Sequence, residues 1–125
     1  MDTEKLIKKI IKCAYNVRCQ LPQGFLESVY KNALLLEMQK NDLKIETEVP
    51  VKIYYDDTVV GEYRADIMVD NSVIIELKAV NRLTIAHEVQ LVNYLSAFKI
   101  DNGILINFGG ENIEIKRKYR LYNRT

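Results

Sequence analysis

The run from Val73 to Val80 reads Val-Ile-Ile-Glu-Leu-Lys-Ala-Val, an apolar strand interrupted only by Glu76 and Lys78. Side chains alternate across a strand, so Glu76 and Lys78 share one face while Ile75, Leu77 and Ala79 point the other way. Upstream lies a second strand-like run, Tyr63 to Val69, and Asp70-Asn71-Ser72 between the two has turn composition. A hairpin loop of those three residues pairs Val69 with Val73 and sets Asp66 opposite Glu76. Two carboxylates facing each other across strands destabilise a sheet unless something offsets the repulsion. A divalent cation would do so, with Lys78 beside it. The competing reading is a solvated Glu-x-Lys pair on an exposed face.

The rest of the chain supplies a sheet and helices around this hairpin. From about Thr3 to Cys19, Leu6, Ile7, Ile10, Ile11, Ala14 and Val17 recur at helical spacing, and Leu21-Pro22-Gln23-Gly24 ends the helix. A second helix is expected from about Phe25 to Lys40, with Leu26, Val29, Tyr30, Ala33, Leu34 and Met38 as its apolar set. Glu27 lies beside that stripe, where it can meet the core or simply favour the helix dipole. Lys44 to Tyr55 alternates, with Ile45, Thr47, Val49, Val51, Ile53 and Tyr55 on one face. Pro50 within it predicts an edge strand or a bulge, and Asp56-Asp57 predicts a turn.

A third helix begins near Thr84, a suitable N-cap, and runs to about Lys99. Ile85, Val89, Val92, Leu95 and Phe98 form its expected apolar stripe, and His87, Gln90 and Tyr94 a second stripe. His87 reads as a surface or hydrogen-bonding residue rather than a ligand. Asp101-Asn102-Gly103 should turn the chain into a short buried strand, Ile104 to Asn107. A last strand follows from Ile113 to Tyr119. A helix between the strand at Val73–Val80 and the one ending at Asn107 predicts a parallel crossover. The fold class is therefore α/β (α+β), a mixed central sheet flanked by helices.

A chain of 125 residues, 48% hydrophobic and 28% charged, suits a single globular domain spanning 1–125. No apolar run approaches the roughly 18 residues of a membrane span, nor is there a signal-peptide core. A cytoplasmic protein is expected, with Cys13 and Cys19 reduced. The net charge of +1 points neither toward nor away from nucleic acid. Two clusters could contact phosphates: Lys5, Lys8, Lys9 and Lys12 on the first helix, and Lys116, Arg117, Lys118, Arg120 and Arg124 near the end. Arg64 could contact phosphate or pair with an acidic neighbour.

Five segments together carry a family resemblance. They are Gly24, Glu27 and Tyr30; Tyr63-Arg64-Ala65-Asp66; Ile75 to Val80; His87 to Leu95; and Leu105-Ile106-Asn107-Phe108-Gly109. Over nearly its whole length the chain resembles the PD-(D/E)XK nuclease superfamily, and within it the family named for a GxxExxY motif. Ala65 stands where the superfamily name has proline. The resemblance implies a restriction-endonuclease-like core and a metal-dependent nuclease, with DNA as the leading substrate. It makes Asp66 and Glu76 metal-binding carboxylates and Lys78 the residue that positions or activates water. Glu27 would complete the metal shell, and Gln90 and Tyr94 would face the site.

The chemistry of these groups agrees. Mg²⁺, or Mn²⁺ in its place, takes oxygen ligands, which Asp66, Glu76, Glu27 and the Leu77 carbonyl can supply. A cation there would polarise a phosphate oxygen, and Lys78 could hold hydroxide or stabilise developing charge. A chain this small would draw sequence specificity from nucleic-acid structure or a partner protein, and a homodimer is one way to cut two strands. The alternative function is a nucleic-acid- or protein-binding module that keeps the fold with little or no cleavage.

Overall fold

The computed structural model describes residues 2–122. Arg124 of the basic cluster lies outside them. Asp2 caps the first helix by accepting from the Lys5 N–H at 2.9 Å, and α1 runs Thr3–Gln20. Leu6, Ile7, Ile10, Cys13, Ala14 and Val17 are its buried side. The second helix, α2 (Glu27–Lys40), starts two residues later than its apolar pattern suggests, because Phe25 and Leu26 belong to the preceding loop. Leu26 and Val29 are accordingly exposed rather than buried, leaving Tyr30, Leu34 and Met38 as the packed side.

Five strands follow in one sheet: β1 (Ile45–Tyr55), β2 (Thr58–Val69), β3 (Val73–Lys78), β4 (Asn102–Asn107) and β5 (Glu114–Tyr119). They lie in the sheet in that order, all antiparallel except β3 and β4. The crossover between those two is α3 (Ile85–Phe98). Its start is a capping box, in which Thr84 Oγ1 accepts from the His87 N–H and His87 Nδ1 accepts from the Thr84 N–H. That is the role of the single histidine. Asn102 and Gly103 belong to β4 rather than to a turn. A side chain at 103 would meet Leu91 and Leu95 at 3.1–3.2 Å, so glycine lets α3 close onto the strand.

The sheet separates two cores. On one side α1 and α2 pack on Ile67, Val69, Val73, Ile75, Leu77, Ile104 and Ile106. On the other, Leu83, Leu91 and Leu95 pack on Ala65, Met68, Ile74 and Leu105. The buried side of α3 is thus Leu91 and Leu95, whereas Ile85 and Val89 of the expected stripe are exposed. This helix is apolar on more than one side, and only the sheet decides which side is covered.

The expected alternation in β1 also fails at one point. Ile45 packs with the α1/α2 core and Val49 with the α3 core, although residues four apart should share a face. The pleat inverts at Glu48, which takes a left-handed conformation at φ +51°. Directly across, β2 inverts too: Ala65 faces α3 and Ile67 faces α1 and α2. Asp66 sits between them, opposite Glu48. Pro50 lies on the edge strand as expected, and a separate register shift falls between Ile53 and Tyr54.

Candidate active site

The inversion coincides with a fork in the sheet. The β2–β3 ladder begins with Val69 opposite Val73, the expected register, and ends at Ile67 opposite Ile75. The next pair would be Asp66 and Glu76. Their side chains replace the missing ladder: the Asp66 N–H donates to Glu76 Oε2 at 3.0 Å, and the Leu77 N–H donates to Asp66 Oδ2 at 2.9 Å. Each carboxylate therefore accepts from the other strand's backbone through one oxygen and keeps its second oxygen clear of backbone donors. Neither needs an opposing cation merely to satisfy hydrogen bonding, because the backbone does part of that work.

Burial makes the pair costly nonetheless. Glu76 is only 6% exposed. Desolvation, and then the Asp66 charge, push its pKa up to about 7. Burial also raises Asp66, against the Leu77 N–H and the Lys31 and Lys78 charges that oppose it. Glu27, at the rim and open to solvent, is raised by partial burial and then by Asp66, with Lys78 and Lys31 pulling the other way. Helix α2 and the end of β3 thus bring Glu27 and Lys78 within electrostatic reach of the Asp66–Glu76 pair. Lys78 ends β3 and acts on all three carboxylates.

Placing Glu27 there depends on its loop. Gly24 has φ +115°, a conformation open to glycine and strained for other residues. The Tyr30 hydroxyl fastens this loop, donating to the Pro22 carbonyl at 2.6 Å and accepting from the Phe25 N–H at 3.2 Å. Its buried ring stacks on Phe108 at 4.9 Å. Gly24 and Tyr30 are therefore structural supports that fix where Glu27 enters the helix.

The segment after β3 is held in a comparable way. Asn107, fully buried, accepts from the Val80 and Gly109 N–H groups and donates to the Val80 carbonyl and Glu114. Four hydrogen bonds from one amide tie the exit of the Lys78 strand to the neighbouring turn.

Other candidates are placed differently. Tyr94 is near the carboxylates: burial first, then Glu76 and Asp66, raise its hydroxyl pKa. Gln90 is exposed on α3 and lines a shallow groove with Ile53, Ile85, Val89, Asn93 and Tyr94, bonded to none of the carboxylates. Arg64 is exposed and reaches Glu62 on its own strand at 3.3 Å. The basic cluster lies on β5, the far edge of the sheet from β1. There Arg117 pairs with Glu4, Lys118 with Glu88, and Arg120 with Asp101. Lys116 is exposed, and among the described residues it has no ion pair.

Three residues escape the sequence pattern. Lys31, one helical turn after Glu27, reaches Glu48 at 2.7 Å, and both act on the Asp66 charge. Tyr63 couples to Glu76 from β2. Lys31 had a signal in its spacing from Glu27. Glu48 had none, since it reads as the solvent side of an alternating strand.

Among the described residues, no three His, Cys, Asp or Glu side chains converge as a ready-made metal cluster. The donor set still suits a hard cation, because Mg²⁺ commonly binds through one or two carboxylates with waters completing its shell. Asp66, half-buried, and Glu76, buried, offer two carboxylates whose mutual charge is incompletely compensated.

A model of the PD-(D/E)XK nuclease superfamily matches residues 4–118. The chain belongs to that superfamily. Among solved structures, the crystal structure of SSO0001 matches at a TM-score of 0.60 and 24% identity, over 77% of this chain. That likeness speaks to the fold, a mixed five-stranded sheet flanked by helices, of restriction-endonuclease type. This PD-(D/E)XK chain spans half the length of the SSO0001 chain. A search of curated proteins finds no match. No helix among the described residues is long and apolar enough to cross a membrane.

Proposed function

We propose that this PD-(D/E)XK domain is a divalent-metal-dependent nuclease that hydrolyses phosphodiester bonds in DNA. The observation that carries the reading is the forked β2–β3 pair, where half-buried Asp66 and buried Glu76 stand side by side with Lys78 at the strand end. Asp66 and Glu76 would hold Mg²⁺ or Mn²⁺, with the Leu77 carbonyl and Glu27 as further donors. A cation held there supplies the Lewis acidity that phosphodiester hydrolysis needs. Lys78 holds the attacking water or stabilises charge on the phosphate through its ammonium. Gln90 and Tyr94 face the nucleic acid from α3, with Arg64 and Lys116 as outlying phosphate contacts. The finer kinship to the GxxExxY family rests on Gly24, Glu27 and Tyr30. A second active site for double-strand cleavage would come from a homodimer or a partner protein.

The absence of a converged three-ligand cluster among the described residues favours one other reading, a nucleic-acid-binding module without cleavage. The two are separated by incubating the protein with labelled single-stranded, duplex and branched DNA, in Mg²⁺, Mn²⁺ or EDTA. Cleavage of at least one substrate with metal, and of none in EDTA, is the expected result. Binding of DNA with no cleavage under any condition would replace the nuclease reading with the binding module.

A further inference from the structure

Tyr63 stands three residues before Asp66 on β2, and its ring is fixed from two directions. Tyr94 of α3 stacks on it with 3.2 Å between centroids, 13° from parallel. Phe98, four residues along the same helix, meets it edge-on at 6.2 Å. The clamp carries the phenol oxygen into the interior, where it is buried and completes no hydrogen bond of ordinary geometry. A buried donor without a partner destabilises a fold. A phenylalanine would fill the same space with no hydroxyl to desolvate, so packing does not account for the phenol.

The group within reach is Glu76. Tyr63 packs on the α3 side of the sheet in the same cluster as Ile74, and alternation along β3 turns the Glu76 side chain to that same side. Glu76 has committed Oε2 to the Asp66 N–H. A neutral donor on the remaining side can fix the carboxylate's rotation without cancelling its charge, which a lysine or arginine there would do. Fixing a ligand's orientation from behind is how surrounding hydrogen bonds tune metal centres.

We infer that Tyr63 is a positioning residue of the centre: its hydroxyl donates to the Glu76 carboxylate and fixes that group beside Asp66, while Tyr94 and Phe98 hold the donor in place. The consequence for metal rests on the function proposed above; the inferred Tyr63–Glu76 hydrogen bond itself does not.

The test measures Mn²⁺ affinity by calorimetry, and thermal unfolding in EDTA, for the wild type, Tyr63→Phe, Glu76→Gln and the double variant. Tyr63→Phe is expected to bind Mn²⁺ about tenfold more weakly than wild type and to unfold at a lower temperature in EDTA, because Glu76 loses the hydroxyl that donates to it. Its effect on unfolding should shrink or change sign when Glu76 is already glutamine. Wild-type affinity in Tyr63→Phe would overturn the inference. If the wild type itself takes up no Mn²⁺, the metal reading fails and the unfolding cycle decides alone. Additive effects of the two changes then overturn the Tyr63 role, and non-additive effects sustain it.

Discussion

Replacing Lys78 with alanine is expected to slow phosphodiester cleavage by about 10²–10³-fold, the cost of removing one preorganised charge-stabilising donor, while Mn²⁺ is still bound. The reason lies in how the ammonium is placed. It ends a buried strand and lowers the proton affinity of Glu27, Asp66 and Glu76 together. Yet among the described residues it forms no ion pair within contact distance, unlike Lys31, which is tied to Glu48. Lys78 is therefore held near the carboxylates by the strand rather than by a partner, and its donors remain free for water or phosphate. Single-turnover cleavage at saturating Mn²⁺ and pH 8.5 separates this loss from any change in carboxylate ionisation. An unchanged rate would show that Lys78 only balances charge.

The second large effect concerns pH and stability in the metal-free protein. Glu76 has its native pKa raised from 4.5 to about 7, chiefly by burial and then by Asp66. Between those values the native state binds more protons than the unfolded state, so stability falls as pH rises. The loss begins near the unfolded value and is complete once pH has passed through the native one. For Glu76 alone it amounts to something on the order of 3 kcal/mol. Asp66 and Glu27 are shifted in the same direction and add to the slope. Chemical denaturation in EDTA from pH 4 to 9 should show this decline, and Glu76→Gln should flatten most of it. Mn²⁺ should restore stability on the alkaline side, where it meets ionised carboxylates. A stability that rises with pH across the window would contradict the account.

Much of the site was legible because strand parity is a strict rule. The Val69–Val73 pairing and the shared face of Glu76 and Lys78 follow from a period of two and a three-residue turn. What parity could not show is that the ladder stops there, with carboxylates substituting for it. The inversion at Glu48 was hidden because no glycine or asparagine marks it. The buried side of α3 was only partly legible: Leu95 and Phe98 of the expected stripe face the sheet, but its Ile85 and Val89 are exposed, and Leu91, outside it, is buried instead. The basic cluster looked like a phosphate surface because its partners are remote: Glu4 lies 113 residues from Arg117, and Glu88 lies 30 from Lys118. Tyr30 was legible as a motif but not as a clamp, since its acceptor is a backbone carbonyl.

The most direct test of the central claim is a calorimetric titration of Mn²⁺ into the wild type and Glu76→Ala at pH 8, with and without DNA. The account predicts saturable uptake by the wild type and its loss in Glu76→Ala. No uptake by the wild type under either condition would mean that the Asp66–Glu76 pair is a structural device closing the sheet fork, and not a metal centre.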